Sequence, residues 1–124
     1  MIRHAIALAA LAACPPAFAA PVDMSIATYL ARADALQARG MKALLSSDIG
    51  ILRDEVTFSG NAFRARIAEQ RAAGKPLSTC PPPKMGMTSR VLLEHLRSYP
   101  LAARPRVTMK TAMAEWIVKT YPCP

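Results

Sequence analysis

Cys80-Pro81-Pro82-Pro83 opens the last third of the chain and Tyr121-Pro122-Cys123-Pro124 closes it. The three prolines fix φ and cannot fill a helix interior, so Leu77 to Met87 reads as a loop with extended polyproline geometry. Helical patterns occupy the ground between the two cysteines. Thr88 or Ser89 can cap a segment whose apolar set is Val91, Leu92, Leu96 and Tyr99, and Pro100 ends it. A basic connector, Leu101 to Arg106, follows. Thr108 can start a last helix in which Met109, Ala112, Met113, Trp116 and Ile117 share one face. Two cysteines therefore flank a helix pair, and whether they join depends on the compartment.

The first residues bear on that question. Arg3 and His4 precede an unbroken apolar run, Ala5 to Ala13, which Pro15-Pro16 breaks before Ala17-Phe18-Ala19. Small residues at −3 and −1 fit a signal-peptidase site, and cleavage before Ala20 fits best. The run is far shorter than the roughly 20 residues that span a bilayer as a helix. Leu11-Ala12-Ala13-Cys14 also has the form of a lipobox, in which Cys14 would be acylated and anchor the protein to a membrane. Both routes lead out of the cytoplasm, and the A-x-A pattern points to a periplasm. Either route removes Cys14 from the count of three cysteines, and an even pair in an oxidising compartment reads as a Cys80–Cys123 disulfide. Closing a 44-residue loop is worth about 4 kcal/mol in the chain-entropy model. A two-cysteine metal site lacks its other ligands, since His95 is the one histidine outside the leader and no C-x-x-C spacing exists.

The N-terminal half is helical too. Ala20 to Met24 reads as a short, loose start. Ile26, Tyr29, Leu30, Ala33 and Leu36 form one stripe, with Asp23 or Ser25 to cap and Gly40 to terminate, which predicts a helix over 25–39. Met41 to Leu45 fits a short helical turn before Ser46-Ser47-Asp48, a capping cluster. Ile49, Leu52, Val56, Phe63 and Ile67 then predict one amphipathic helix over 48–73, ended by Gly74 and Pro76. Ser59 and Gly60 fall where the stripe should continue, which leaves both a close helix crossing and a local break open there. Nothing alternates with period two. The expected fold is all-α, a compact array of about four helices closed by one disulfide and preceded by a signal-peptide helix. Residues 20–124 form a single helical domain, with two N-terminal helices over 20–76 and the disulfide-closed pair over 77–124.

Composition narrows the function. The net charge of +8 becomes +7 once Arg3 leaves with the signal. Export and the lack of an aromatic-interleaved basic motif argue against nucleic acid, leaving anionic lipid, cell-wall polymer or an acidic protein. No cofactor motif is present: Gly74-Lys75 lacks the remaining P-loop residues, and no serine sits in a G-x-S-x-G elbow. His95 lies at the edge of an apolar stripe without a nucleophile patterned around it, and the eight acids are scattered. A non-catalytic binding protein is therefore expected. Arg64, Arg71 and Lys75 share one side of the long helix and read mainly as a solvated face. Arg104, Arg106 and Lys110 are the candidate partner-binding residues, because loops held on a rigid scaffold carry binding disproportionately and cations at a helix start oppose its dipole unless an anion sits there. Met109, Met113 and Trp116 read as core, with a sticky Met-lined surface as the alternative.

From Cys80 onward the chain resembles the Rap/Tai family of immunity proteins associated with type VI secretion. The resemblance rests on Cys80-Pro81-Pro82-Pro83, His95-Leu96-Arg97-Ser98-Tyr99-Pro100, the charged Arg104 to Arg106 and Tyr121-Pro122-Cys123, and covers residues 77–124. It implies a small exported all-α protein that binds and blocks a toxic effector, typically a cell-wall amidase, in the periplasm, and that often forms a homodimer. Toxin-contacting residues do not belong to the matched motif and are not carried over. A small periplasmic envelope-stress chaperone is the second expectation.

Overall fold

A computed structural model describes residues 22–124. The Ala19 cleavage site, the Cys14 lipobox and the signal-peptide helix lie outside the described residues. Four α-helices run in the order α1, Ile26–Arg39, α2, Asp48–Ala72, α3, Ser89–Arg97, and α4, Met109–Thr120, with a short 3-10 helix, Gly40–Leu45, between α1 and α2. The described residues contain isolated bridges but no strand, and no helix among them is long and apolar enough to cross a membrane.

Each helix begins where its capping residue stands. Ser25, Thr88 and Thr108 accept from the backbone N–H three residues on, at 3.2, 3.2 and 3.3 Å, which satisfies one orphan donor at each start. At α2 the acceptor is Ser46, whose Oγ takes the Asp48 N–H at 3.2 Å. Gly74, at φ 66°, closes α2: its N–H reaches Arg71 O and the Lys75 N–H reaches Gln70 O, the paired bonds of a Schellman ending that favours glycine.

α1 and α4 each touch the three other helices, and α2 packs chiefly on α4. One hydrophobic core draws Ile26, Leu30, Phe63, Leu96, Met113 and Ile117 from all four. Met109 and Met113 are buried and Trp116 packs against the core, so the Met-lined surface is excluded for these residues.

Cys80 and Cys123 are joined, with their Cα atoms 4.9 Å apart. Tyr121 ties the same junction from three sides. Its carbonyl accepts from Cys80 N–H at 2.9 Å and from the buried Thr79 hydroxyl at 2.7 Å, and its own hydroxyl accepts from Gly86 N–H at 3.1 Å. Its ring meets Trp116 edge-on at 5.7 Å. The proline-rich loop is thus fastened to the end of α4 along its length.

Two expectations change. The segment before α1 is not loose: Val22 and Met24 N–H groups donate to the two carboxylate oxygens of Glu55 at 2.7 and 3.3 Å. Met24 O accepts from Met109 N–H, and Asp23 Oδ1 accepts from Lys110 N–H, both at 2.9 Å. These bonds hold Asp23 at φ 54°, a left-handed conformation that Asp tolerates better than most residues. Nor does α2 break at Ser59-Gly60. It is continuous, and a Cβ placed on Gly60 would meet nothing within 4 Å, so no close helix crossing requires that glycine. The buried stripe is Leu52, Glu55, Ser59, Phe63 and Ile67, which puts the polar Glu55 and Ser59 on it and leaves Ile49 and Val56 partly buried beside it.

Candidate functional site

The connector between α3 and α4 is folded rather than free. Its turns are closed by Ala103 N–H to Pro100 O and Arg106 N–H to Ala103 O, each at 2.9 Å. Its outward carbonyls cap α1: Ile26 N–H reaches Val107 O at 2.9 Å and Ala27 N–H reaches Arg104 O at 3.2 Å. The backbone of this segment therefore supplies acceptors that the first turn of α1 lacks.

Its side chains divide. Arg104 turns back on α3, donating from Nε to Tyr99 O at 3.0 Å and from its terminal nitrogen to Arg97 O at 2.8 Å. A guanidinium there satisfies late carbonyls and complements the negative end of the helix. Arg106 is exposed and reaches Ala102 O at 3.2 Å. Lys110 is half-buried on α4, its ammonium 4.6 Å from the centroid of the Phe58 ring. The anion expected at the start of α4 is supplied by the chain itself, as Asp23. Of the three candidates, Arg104 is held by α3 while Arg106 and Lys110 keep charge available at the surface. On the long helix, Arg64 donates to Pro83 O at 2.9 Å and so braces the proline loop, while Arg71 and Lys75 are exposed.

The groups that reaction chemistry would draw on have partners within the chain. His95 Nε2 lies 2.8 Å from Ala112 O, which requires Nε2 to carry the proton and donate it. Tyr99 packs edge-on against His95 at 5.4 Å and donates its hydroxyl to Glu115. Burial first, then that hydrogen bond and the Glu115 charge, push the Tyr99 hydroxyl well above its ordinary value of 10.0. Tyr29 is pushed up as well, by burial and then by the charge of Glu55. Asp34 and Asp48 pair with Arg97 and Arg32, and Glu94 pairs with Arg90. Six of the eight acids, counting Asp23, Glu55 and Glu115, thus have partners within the chain, and the cationic excess is that of 16 Lys and Arg over eight Asp and Glu. Among the described residues no three His, Cys, Asp or Glu side chains gather where they could hold a metal ion.

Two apolar features complete the surface. A groove of about 460 Å³ runs between α1, α2 and the entry to α3, with Tyr29, Leu36, Ile49, Val56, Met87 and Leu93 among its walls. The 3-10 helix projects Met41, Leu44 and Leu45 into solvent, 81%, 70% and 92% exposed, beside Lys42. Sequence periodicity did not single these out, because a three-residue apolar set on a short turn has no stripe to belong to. No family model, curated protein or solved structure matches the chain.

Proposed function

We propose that this is an exported, non-catalytic binding protein of the Rap/Tai type, which neutralises a secreted effector toxin such as a peptidoglycan amidase by binding it in the periplasm. The observation that carries the proposal is the union of Cys80 with Cys123. Such bonds persist mainly in oxidising compartments, which supports export, and this one closes the segment on which the resemblance to those immunity proteins rests. The pairing of His95, Tyr99 and most acids with groups of this chain supports a role for the outer surface rather than for a reactive cleft. The cationic excess favours an acidic protein partner. No cofactor enters the account.

The test is growth of a bacterium that exports a secreted peptidoglycan amidase of the same organism, with and without this protein directed to the same compartment. Restored growth supports the proposal. Unrelieved toxicity, with the protein present and folded, overturns it.

A second reading, a small periplasmic envelope-stress chaperone, is favoured by the projecting Met41, Leu44 and Leu45, since adaptable apolar side chains suit unfolded clients. It predicts that equimolar protein suppresses light scattering by an aggregating client at neutral or low pH. Unchanged scattering at both removes it.

A further inference from the structure

A second, smaller hollow of about 230 Å³ lies between α2 and α4, lined by Ser59, Ala62, Phe63, Arg66, Lys110 and Ala114. Residues 59, 62, 63 and 66 fall on one side of α2, and 110 and 114 are one turn apart on α4. Ala62 and Ala114 are small and leave room between the helices. The Arg66 guanidinium lies 5.4 Å from the centroid of Phe63, and Lys110 stands over Phe58. Among the described residues neither cation has a carboxylate partner, and residues 1–21 contain no Asp or Glu.

Ser59 gives the second and independent observation. It is 1% exposed, and its hydroxyl has no hydrogen-bond partner. A buried hydroxyl left unpaired costs about 1–3 kcal/mol, and this one belongs to a residue that lines a hollow flanked by two cations without carboxylate partners. The geometry points to an anion site that takes a carboxylate, namely a Glu or Asp side chain presented by the protein partner. The oxygen would accept from Ser59 Oγ while Arg66 and Lys110 balance its charge. Ala62, Phe63 and Ala114 offer an apolar wall to a carboxylate's methylene stem. A phosphate dianion would meet that same wall with only one buried donor, which suits it poorly. This inference rests on the reading of the protein as a binder of an acidic partner, and names the chemistry of one contact.

The test is a titration of the intact isotope-labelled protein, followed by amide NMR, with acetyl-Gly-Glu-Gly-amide, its Gln counterpart and inorganic phosphate in parallel. The Glu peptide should give saturable shifts at Ser59, Ala62 and Ala114, and the Gln peptide should not. Ser59→Ala, Arg66→Gln and Lys110→Gln should each weaken binding by about tenfold, the scale of one charge-assisted hydrogen bond. Ser59→Ala should do so without lowering the melting temperature, which a purely structural hydroxyl would not allow. Shifts spread equally over Arg71 and Lys75, equal response to the Gln peptide, or tighter saturation by phosphate would each overturn the assignment. No effector is present in this titration, so its failure removes the carboxylate site and leaves the growth assay to judge the wider reading.

Discussion

Glu55→Gln probes the least expected contact in the fold. Glu55 is 1% exposed and its two oxygens hold the N–H groups of Val22 and Met24. A glutamine keeps the shape but offers one oxygen, so one backbone donor loses its acceptor whichever way the amide turns. Val22 is 75% exposed and can turn to water, whereas Met24 is buried; the amide oxygen should therefore stay on Met24. What is lost is one charge-assisted bond, partly offset by no longer burying a charge, which gives about 1–3 kcal/mol. For a domain of this size, a central value of about 2 kcal/mol lowers the melting temperature by roughly 8–16 °C. Urea denaturation at neutral pH measures the free energy, with Asp54→Asn, an exposed neighbour, as a control expected to stay within about 0.5 kcal/mol of wild type. Hydrogen exchange adds a local readout. Asp23 and Met24 hold the first turn of α4 through Lys110 and Met109 N–H, so those two amides should exchange faster in the variant. A Gln variant as stable as the control, with unchanged exchange at Met24, Met109 and Lys110, would refute this role for Glu55.

Other perturbations follow from the same contacts. Cys123→Ser should cost about 4 kcal/mol under oxidising conditions, from the loop its bond closes, and should match wild type under reduction; equal melting under oxidation would deny the bond a structural role. Gly60→Ala fills open space in a helix interior and should raise stability by up to about 1 kcal/mol, whereas a loss in urea denaturation would reveal a hidden contact. Tyr99 keeps a proton in the folded state that the unfolded chain sheds above its ordinary value of 10.0. The stability tied to that proton is complete below pH 10 and drains away as pH rises further. Tyr99→Phe should therefore flatten part of the alkaline loss seen in melts taken on either side of pH 10, Tyr29 contributing the rest with the same sign; an identical pH profile would count against it.

The helices were legible because their signals are local. Ser25, Thr88, Thr108, Gly40, Gly74 and Pro100 mark ends by side-chain and backbone chemistry that acts within a turn. The disulfide was legible from cysteine parity once the first residues were read as a leader. Glu55 was not, because a carboxylate beside Asp54 reads as solvent-facing. The interval from Leu52 to Ser59 at helical spacing was its one sign, and only the arrival of residues 22–24 from across the fold makes burial tolerable. Arg104 reads as a charge on a loop until the end of α3 lies beneath it, and the hollow at Ser59 exists only where α2 meets α4. Contacts between distant segments, not propensities, decide all three.

The central claim is that this protein acts by binding an effector. Its most direct test is hydrolysis of peptidoglycan by a purified secreted amidase of the same organism, measured while the disulfide-bonded protein is titrated in. The account predicts that activity falls to zero at equimolar protein and that the two elute together. Undiminished hydrolysis at large molar excess, with no shared elution, would contradict it.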